Sequence, residues 1–360
     1  METGMKKECK ICVNDNSVRN IRFNKDGICN FCENYLKEKE KFKDYDKLRP
    51  LFVERIEKIK GKHSYDAAVG ISGGKDSVFV LHELKNKYRL KIKAFTMNNG
   101  FLSDEARSNI DKIVKELDVE HEYIDFDKEL LKRFYSYSIK KWLVPCIACS
   151  YIGYASMINL ASKIDAGMIV HGRSPEQMFR AYNEDVFSSL IEAGLKRVGE
   201  VDFDALYLNL LSKIDAKMDK RLRAEVKEML FKDVKGSDFR EFVAYFLYHP
   251  YDEEQIVKFL KEKTSWQVDG EYTHYDCRIH HATKYIYQCA EGRVHSMPEL
   301  SFLVRDGQIS RQEAKKRLEL ELLSEKPQAE MEELFNYIGK KDSVTLFKAK
   351  MYNRVFSKWM

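Results

Sequence analysis

Short apolar runs alternate with helical spacings through the first half of the chain. Ala67-Ala68-Val69-Gly70-Ile71 is a continuous apolar run and predicts a buried strand. From Val78 to Leu84 the apolar residues fall at helical spacing. Ile92 to Met97 predicts a second strand, ending in Asn98-Asn99-Gly100. Asp104 to Leu117 is amphipathic and helical, with Asp104 as its expected N-cap. Glu122-Tyr123-Ile124 predicts a short strand, Lys128 to Lys141 a helix, and Tyr151 to Ile164 another. Ala166 to Val170 predicts a further strand, closed by His171-Gly172-Arg173-Ser174-Pro175-Glu176. This order predicts an α/β fold, a parallel sheet with helices on both faces. Ligands of such sheets sit beyond the carboxyl ends of the strands, where Ser72, Asn98 and Gly172 fall.

The flanks read differently. Residues 5–36 have little core of their own and predict a metal-held ribbon, with Ile21-Arg22-Phe23 as a strand and Asn24-Lys25-Asp26-Gly27 as a tight turn. Residues 37–63, rich in lysine and glutamate with Phe42, Leu48, Phe52 and Ile56 interspersed, predict a helical linker. Residues 64–180 form the expected nucleotide-binding domain, and 181–360 a mostly helical substrate region. Within the latter, 177–260 reads as helical and irregular, strongly helical from Leu206 to Leu230, and 309–337 as one or two charged helices.

Composition narrows the class. The 44% apolar and 12% aromatic content supports a substantial core. No run of about 18 apolar residues exists, so no membrane span is expected. The N-terminus is polar and lysine-rich and carries no secretory pattern, so a cytoplasmic, reducing setting is expected. Net charge is +5, a mild excess that neither requires nor excludes nucleic acid, and no basic patch interleaved with aromatics supports an RNA-binding module.

Candidate chemistry centres on Ser72-Gly73-Gly74-Lys75-Asp76-Ser77, between the first strand and its helix. The glycines let a ligand approach the main chain, and the helix start offers free N–H groups. Ser72, Ser77 and Lys75 add donors and charge, and Asp76 is a candidate Mg²⁺ ligand. It is not the Walker pattern: Gly70 is one residue too close to Gly74, and Asp76 follows Lys75. The string instead resembles the PP-loop of ATP pyrophosphatases. That resemblance implies binding ATP, releasing pyrophosphate and passing AMP to a substrate oxygen. It also implies that Asn98 borders the adenine and that Gly172 and Arg173 border the phosphates.

Eight cysteines matter through their spacing. Cys9-x-x-Cys12 and Cys29-x-x-Cys32, sixteen residues apart, fit two knuckles around one tetrahedral Zn²⁺. Four thiolates leave no open position, so the site reads as structural. Cys146-x-x-Cys149, read as a loop ahead of a helix, has three readings: packed thiols, a redox pair, or, with Cys277, ligands of a [4Fe–4S] cluster. Cys289 is a spare or alternative third ligand. PP-loop sulfur-insertion enzymes acting on transfer RNA resemble the last arrangement.

The wider layout resembles the N-acetyl sugar amidotransferases of the PP-loop superfamily, which build acetamidino sugars. Cys9-Lys10-Ile11-Cys12 with Asp26-Gly27-Ile28-Cys29 resembles that family's knuckles. Gly270 to Tyr275, and Arg305 to Arg311 with Glu313-Ala314, resemble its C-terminal segment. The resemblance implies an adenylated amide oxygen replaced by ammonia from a glutaminase subunit, on a sugar-nucleotide or other small molecule. The cysteines depart from it and leave sulfide as the alternative nucleophile, with transfer RNA as a possible acceptor class. Candidate catalytic residues are Lys75, Asp76, Asp276 and His280, with His171, Glu176 and His281 as further proton-transfer candidates. Arg173 and Arg305 are candidate anion binders.

Overall fold

The computed structural model describes residues 7–18, 20–142, 144–174, 212, 214–231, 241–268 and 276–340. Two N-terminal helices, α1 (Asn30–Lys43) and α2 (Tyr45–Ile59), precede β1 (Tyr65–Gly70). There follow α3 (Lys75–His82), β2 (Ile92–Met97), α4 (Asp104–Glu116), β3 (Glu120–Ile124), α5 (Lys128–Trp142), α6 (Cys146–Lys163) and β4 (Ala166–His171). Beyond them lie α7 (Lys220–Phe231), β5 (Glu241–Ala244), α8 (Glu253–Lys263), α9 (His280–Glu291), α10 (Met297–Arg305), α11 (Arg311–Glu321) and α12 (Gln328–Tyr337).

The strands form one five-stranded sheet in the order β3-β2-β1-β4-β5, and every pair is parallel. Parallel strands need crossovers, and crossover helices bury both faces of the sheet. Hence β4 is buried at every position, and β1 at all but its ends. Ala67 lies opposite Ile92 on one side and Met168 on the other, so β1 is central. The order reverses between β1 and β4, which puts the topological switch point at the tips of these two strands.

The expected sheet is present, with four differences. Ser103, not Asp104, caps α4: its Oγ accepts the Ala106 N–H at 3.1 Å, because the shorter hydroxyl sits one residue earlier in extended backbone. The helix expected from Tyr151 starts at Cys146, with Pro145 at the N-cap, so Cys146 and Cys149 occupy its first turn and not a loop. Nothing between them breaks a helix, since Ile147 and Ala148 are compatible with one. A fifth strand, β5, lies in the stretch read as helical and irregular. It pairs with β4 and places sheet residues well past position 180. Its short apolar run continues into a 3₁₀ turn, Tyr245–Leu247, and carries no alternation. Finally, α2 is part of the main core: it buries Leu48, Phe52 and Ile56 there. Glu176, Gly270 to Tyr275 and all of 177–211 lie outside the described residues.

Phe52 is fully buried among the rings of Tyr88, Tyr245, Tyr248 and His249. The Tyr88 hydroxyl donates to His249 Nε2 at 2.6 Å, and His249 Nδ1 donates to the Tyr245 carbonyl at 3.1 Å, so both ring nitrogens of a neutral imidazole are used. Burial pushes the His249 pKa down from 6.5 to about 4. The folded protein therefore refuses a proton that the unfolded chain accepts below about pH 6.5. Stability from this site is complete above that pH and is lost as pH falls toward 4, by on the order of 3 kcal/mol. Urea midpoints measured from neutral to acid pH should show His249→Gln falling less steeply than the native chain.

Candidate active site and cysteine centres

The turn Ser72–Ser77 leaves the tip of β1 and opens α3. Gly73 has φ +80°, and a Cβ there would lie 2.5 Å from the Ala106 carbonyl oxygen on α4. Gly172, just past β4, abuts α3 equally closely: a Cβ would lie 2.7 Å from the Asp76 carbonyl oxygen. Glycine is thus required at both positions by backbone approach across the switch point. Inside the turn, Ser77 Oγ donates to the Gly74 carbonyl at 3.0 Å and accepts the Ser72 N–H at 3.1 Å. Ser72 Oγ lies 3.3 Å from Ser77 Oγ, and the Gly74 N–H donates to it at 3.4 Å. The Trp266 indole N–H donates to the Gly73 carbonyl at 2.9 Å and fixes the turn from outside.

Lys75 and Asp76 are buried, about 5% and 8% exposed. Lys75 Nζ is 3.2 Å from Asp76 Oδ2 and 3.4 Å from Glu253 Oε1. The Tyr251 hydroxyl donates to Asp76 Oδ1 at 3.2 Å. Burial pushes the Asp76 pKa up, while the Lys75 ammonium opposes that shift. Tyr251, Glu253 and Trp266 were not among the sequence candidates. Asp252 is a visible signal for the first two: it caps α8, accepting the Gln255 N–H at 3.0 Å, and so fixes its neighbours. Trp266 carried no signal.

The other candidates separate. Asn98, at the tip of β2, donates through Nδ2 to Asp125 Oδ1 at 2.7 Å and so links the β2 and β3 tips. Arg173 lies over the Tyr154 ring, and its Nη2 donates to Ser150 Oγ at 3.2 Å, one residue past Cys149. His171 is buried beside Tyr154 and Phe242, and burial pushes its pKa down to about 3. It is therefore neutral at physiological pH. His281 pairs with Glu330 at 2.7 Å, which pushes its pKa up. His280 follows Cys277 by one turn, its N–H donating to the Cys277 carbonyl at 3.2 Å. Arg305 is buried and donates from Nε to the Ser301 carbonyl at 3.1 Å. Its charge favours the Cys12 thiolate, so it belongs with the N-terminal cysteines.

Cys146, Cys149 and Cys277 come together. Cys149 and Cys277 each feel Cys146 and Asp276 electrostatically, and burial pushes both thiols up, Cys149 to about 12. A thiol held protonated is a poor redox nucleophile, so burial disfavours Cys149 in that role. Asn99 Nδ2 points at Cys149 Sγ, 3.7 Å away. Residue 277 bridges Leu102, and Ser103 N–H donates to the Asp276 carbonyl at 3.3 Å. Cys289, one turn along from Tyr285 on α9, interacts with that phenol and not with the trio. Among the described residues, the three sulfurs are not close enough to share one ion. The three thiols are soft donors gathered at one segment.

The N-terminal four are different. The ligand atoms of Cys9, Cys12, Cys29 and Cys32 lie within 4.8 Å of one another, and all four residues are buried. The Cys9–Cys32 and Cys12–Cys29 sulfur separations are both 3.8 Å. A tetrahedron with metal–sulfur bonds of about 2.3 Å has edges of about 3.8 Å, so these thiols suit a single tetrahedral ion. Hydrogen bonding with Cys12 lowers Cys9 and raises Cys29 and Cys32. The C-terminal helices clasp this unit. Arg311 donates from Nε to the Cys12 carbonyl at 3.0 Å and from Nη2 to the Cys9 carbonyl at 3.1 Å, and Lys315 pairs with Glu8 at 2.6 Å.

The fold and site define a parallel α/β protein with a glycine turn at its switch point and a four-cysteine unit attached. No protein-family model matches the chain. The chain is 30% identical over 150 residues to an uncharacterized protein of Methanocaldococcus jannaschii, MJ1599, covering 40% of this chain. The chain spans about half the length of that curated relative. Three solved structures are distantly similar. The U34-tRNA thiolase NcsA from Methanococcus maripaludis, with its [4Fe-4S] cluster, has a TM-score of 0.38 at 13% identity, covering 88% of each chain. An NH3-dependent NAD synthetase from Campylobacter jejuni, in complex with nitrate, has a TM-score of 0.31 at 15% identity, covering 55% of this chain and 99% of its own. NMN synthetase from Francisella tularensis has a TM-score of 0.26 at 11% identity, covering 50% and 91%. No helix among the described residues is long and apolar enough to cross a membrane.

Two outcomes test this geometry. Gly73→Ala should destabilise the protein by on the order of 2 kcal/mol, read as a lowered melting temperature, because the Ala106 backbone cannot move away from the new Cβ. Cys32→Ser should lower the bound-metal content and loosen α10 and α11, read as faster amide hydrogen exchange over 297–321, because Arg311 holds the carbonyls of Cys9 and Cys12.

Proposed function

We propose that the protein is an ATP-dependent enzyme that adenylates a carbonyl oxygen of its acceptor, releases pyrophosphate and replaces that oxygen with sulfur. The observation that carries the sulfur reading is the meeting of Cys146, Cys149 and Cys277 at the tip of β2, on the carboxyl edge that also bears the Ser72–Ser77 turn. The turn's backbone N–H groups and Lys75 take the phosphates, and Asp76 takes the accompanying Mg²⁺. The acceptor oxygen attacks the α-phosphorus, the bond to the bridging oxygen breaks, and pyrophosphate leaves. Sulfide then attacks the activated carbon, and AMP departs with the original oxygen. Cys146, Cys149 and Cys277 would hold an iron–sulfur cluster, which would supply an iron with an open position for that sulfide. Asn99 and Tyr135 face Cys149. The Cys9–Cys32 set holds Zn²⁺ and is structural.

Anaerobically purified protein should carry about four irons per chain and absorb broadly near about 400 nm. Replacing Cys146, Cys149 or Cys277 by serine should remove the iron and leave the zinc, whereas Cys289→Ser should keep both. Turnover should yield AMP and pyrophosphate. Colourless, fully active protein that depends on a glutaminase would replace sulfur by ammonia and return the chemistry to the amidotransferase type. ADP and inorganic phosphate as products would end the adenylation reading.

A further inference from the structure

Gly292 ends α9 in the left-handed region, with φ +69°, and a Cβ there would meet nothing within 4 Å. The reversal brings Arg293 back over the helix just ended, with its guanidinium carbon 5.2 Å from the centre of the Tyr287 ring. His295 stands edge-on to the same ring, 4.6 Å between centroids. Arg293 is 6% exposed, and its Nε and Nη1 are both buried without a hydrogen-bond partner. Among the described residues no carboxylate pairs with it. Glu321 of α11 reaches the same junction of α9 and α10 but is already taken, by Lys284 at 2.9 Å and by the Ser296 hydroxyl at 2.6 Å. An aromatic face offsets only part of the cost of burying a charge. A guanidinium does not shed its proton as a lysine or histidine does, so neutralisation cannot relieve that cost. A buried arginine in this condition lacks an anion that the chain itself does not supply.

We propose that Arg293 anchors a binding site for the terminal phosphate of a small ligand. A phosphate monoester offers three acceptor oxygens and about two charges, more than a carboxylate, and so suits a guanidinium whose donors are free. Only a terminal group reaches it. With Nε and Nη1 closed off from solvent, a phosphodiester carrying chain on both sides stays at the surface, whereas the open space at Gly292 admits the end of a small molecule. The site lies at the opposite end of α9 from His280, which follows Cys277 by one turn, so about 18 Å of helix separates it from the cysteine trio. It rests on no step of the adenylation reading.

The test titrates inorganic phosphate into the full-length, metal-loaded protein and follows the melting temperature against sodium chloride of equal ionic strength. Phosphate taken by the glycine turn, and any general salting effect, appear equally in native protein and in Arg293→Met. The part of the shift that Arg293→Met loses therefore measures this site, and that part should saturate with phosphate concentration. In phosphate-free buffer Arg293→Met should melt about 2 °C or more above the native chain, because an unpaired buried charge is gone. Arg293→Lys keeps the charge without the fork and should weaken the site's phosphate affinity by about tenfold. Glycerol 3-phosphate should reproduce the effect of phosphate, and an oligonucleotide without a terminal phosphate should not. Arg293→Gln serves if Arg293→Met does not fold. An equal phosphate shift in native and variant protein overturns the proposal, as does a larger differential shift with acetate or with the oligonucleotide. Native protein more stable than the variant in phosphate-free buffer also overturns it, and marks the guanidinium as satisfied by Tyr287 and water alone.

Discussion

Two backbones meet without side chains at the tips of β1 and β4, and the site depends on that approach. Gly172 lies against the start of α3, and Gly73 lies against α4. Neither gap accepts a methyl group, so the turn is held by main chain on both sides. Close packing at the tips also removes water from Lys75 and Asp76. Desolvation of that kind is costly, and a buried ion pair offsets it only with good geometry and further hydrogen bonds. Glu253 and Tyr251 supply these from the chain segment beyond β5. The fifth strand therefore matters less as a sheet member than as the means of delivering α8 to the turn.

The four-cysteine unit obeys a different constraint. Its fully buried apolar content is small: Val18 and Phe31 with the cysteines themselves, completed by Met297 from α10, while Ile11, Ile21, Phe23 and Ile28 are only partly buried against them. A unit of this size relies on metal ligation, because it cannot bury enough surface to offset its chain entropy. Around it, the N-terminal segment interlocks with α10 and α11. Tyr35 and Lys43 of α1 reach Asp306, Asn14 bonds Ser301 at 2.8 Å, and Arg311 spans the carbonyls of the first knuckle. The stretch from Arg305 to Arg311 is thus a structural partner of the cysteines. Arg305 therefore stands with the cysteines and not at the glycine turn.

Elements with a strong local pattern were legible. Strands β1, β2 and β4 are short apolar runs followed by glycine or asparagine, and the knuckle spacing states its geometry directly. Strand β5 was not legible, because three buried residues running into a 3₁₀ turn have no period. The N-terminal boundary of α6 was missed because Pro145 reads as a breaker when it is in fact a cap. Glu253 and Trp266 reach the turn only through tertiary packing, 177 or more residues along the chain, and no local pattern encodes such a meeting.

The cysteine trio shows how a long separation closes. Cys277 is far from Cys149 in sequence, yet both depend on the segment that follows β2. Asn99 faces Cys149, while Leu102 bridges Cys277 and the Phe101 carbonyl accepts the Arg278 N–H at 2.8 Å. Arg278 also donates from Nη2 to the Gly100 carbonyl at 3.1 Å and is itself held by Glu333 of α12. Gly100 has φ +85° and a Cβ there would strike the Tyr337 ring, so the segment must turn at that point. The tip of β2 consequently serves two ends: Asn98 sets the strand tips beside the glycine turn, and residues 99–102 set the thiols. A change in this segment would disturb both together, which is the behaviour expected if activation of an oxygen and its replacement occur on one acceptor.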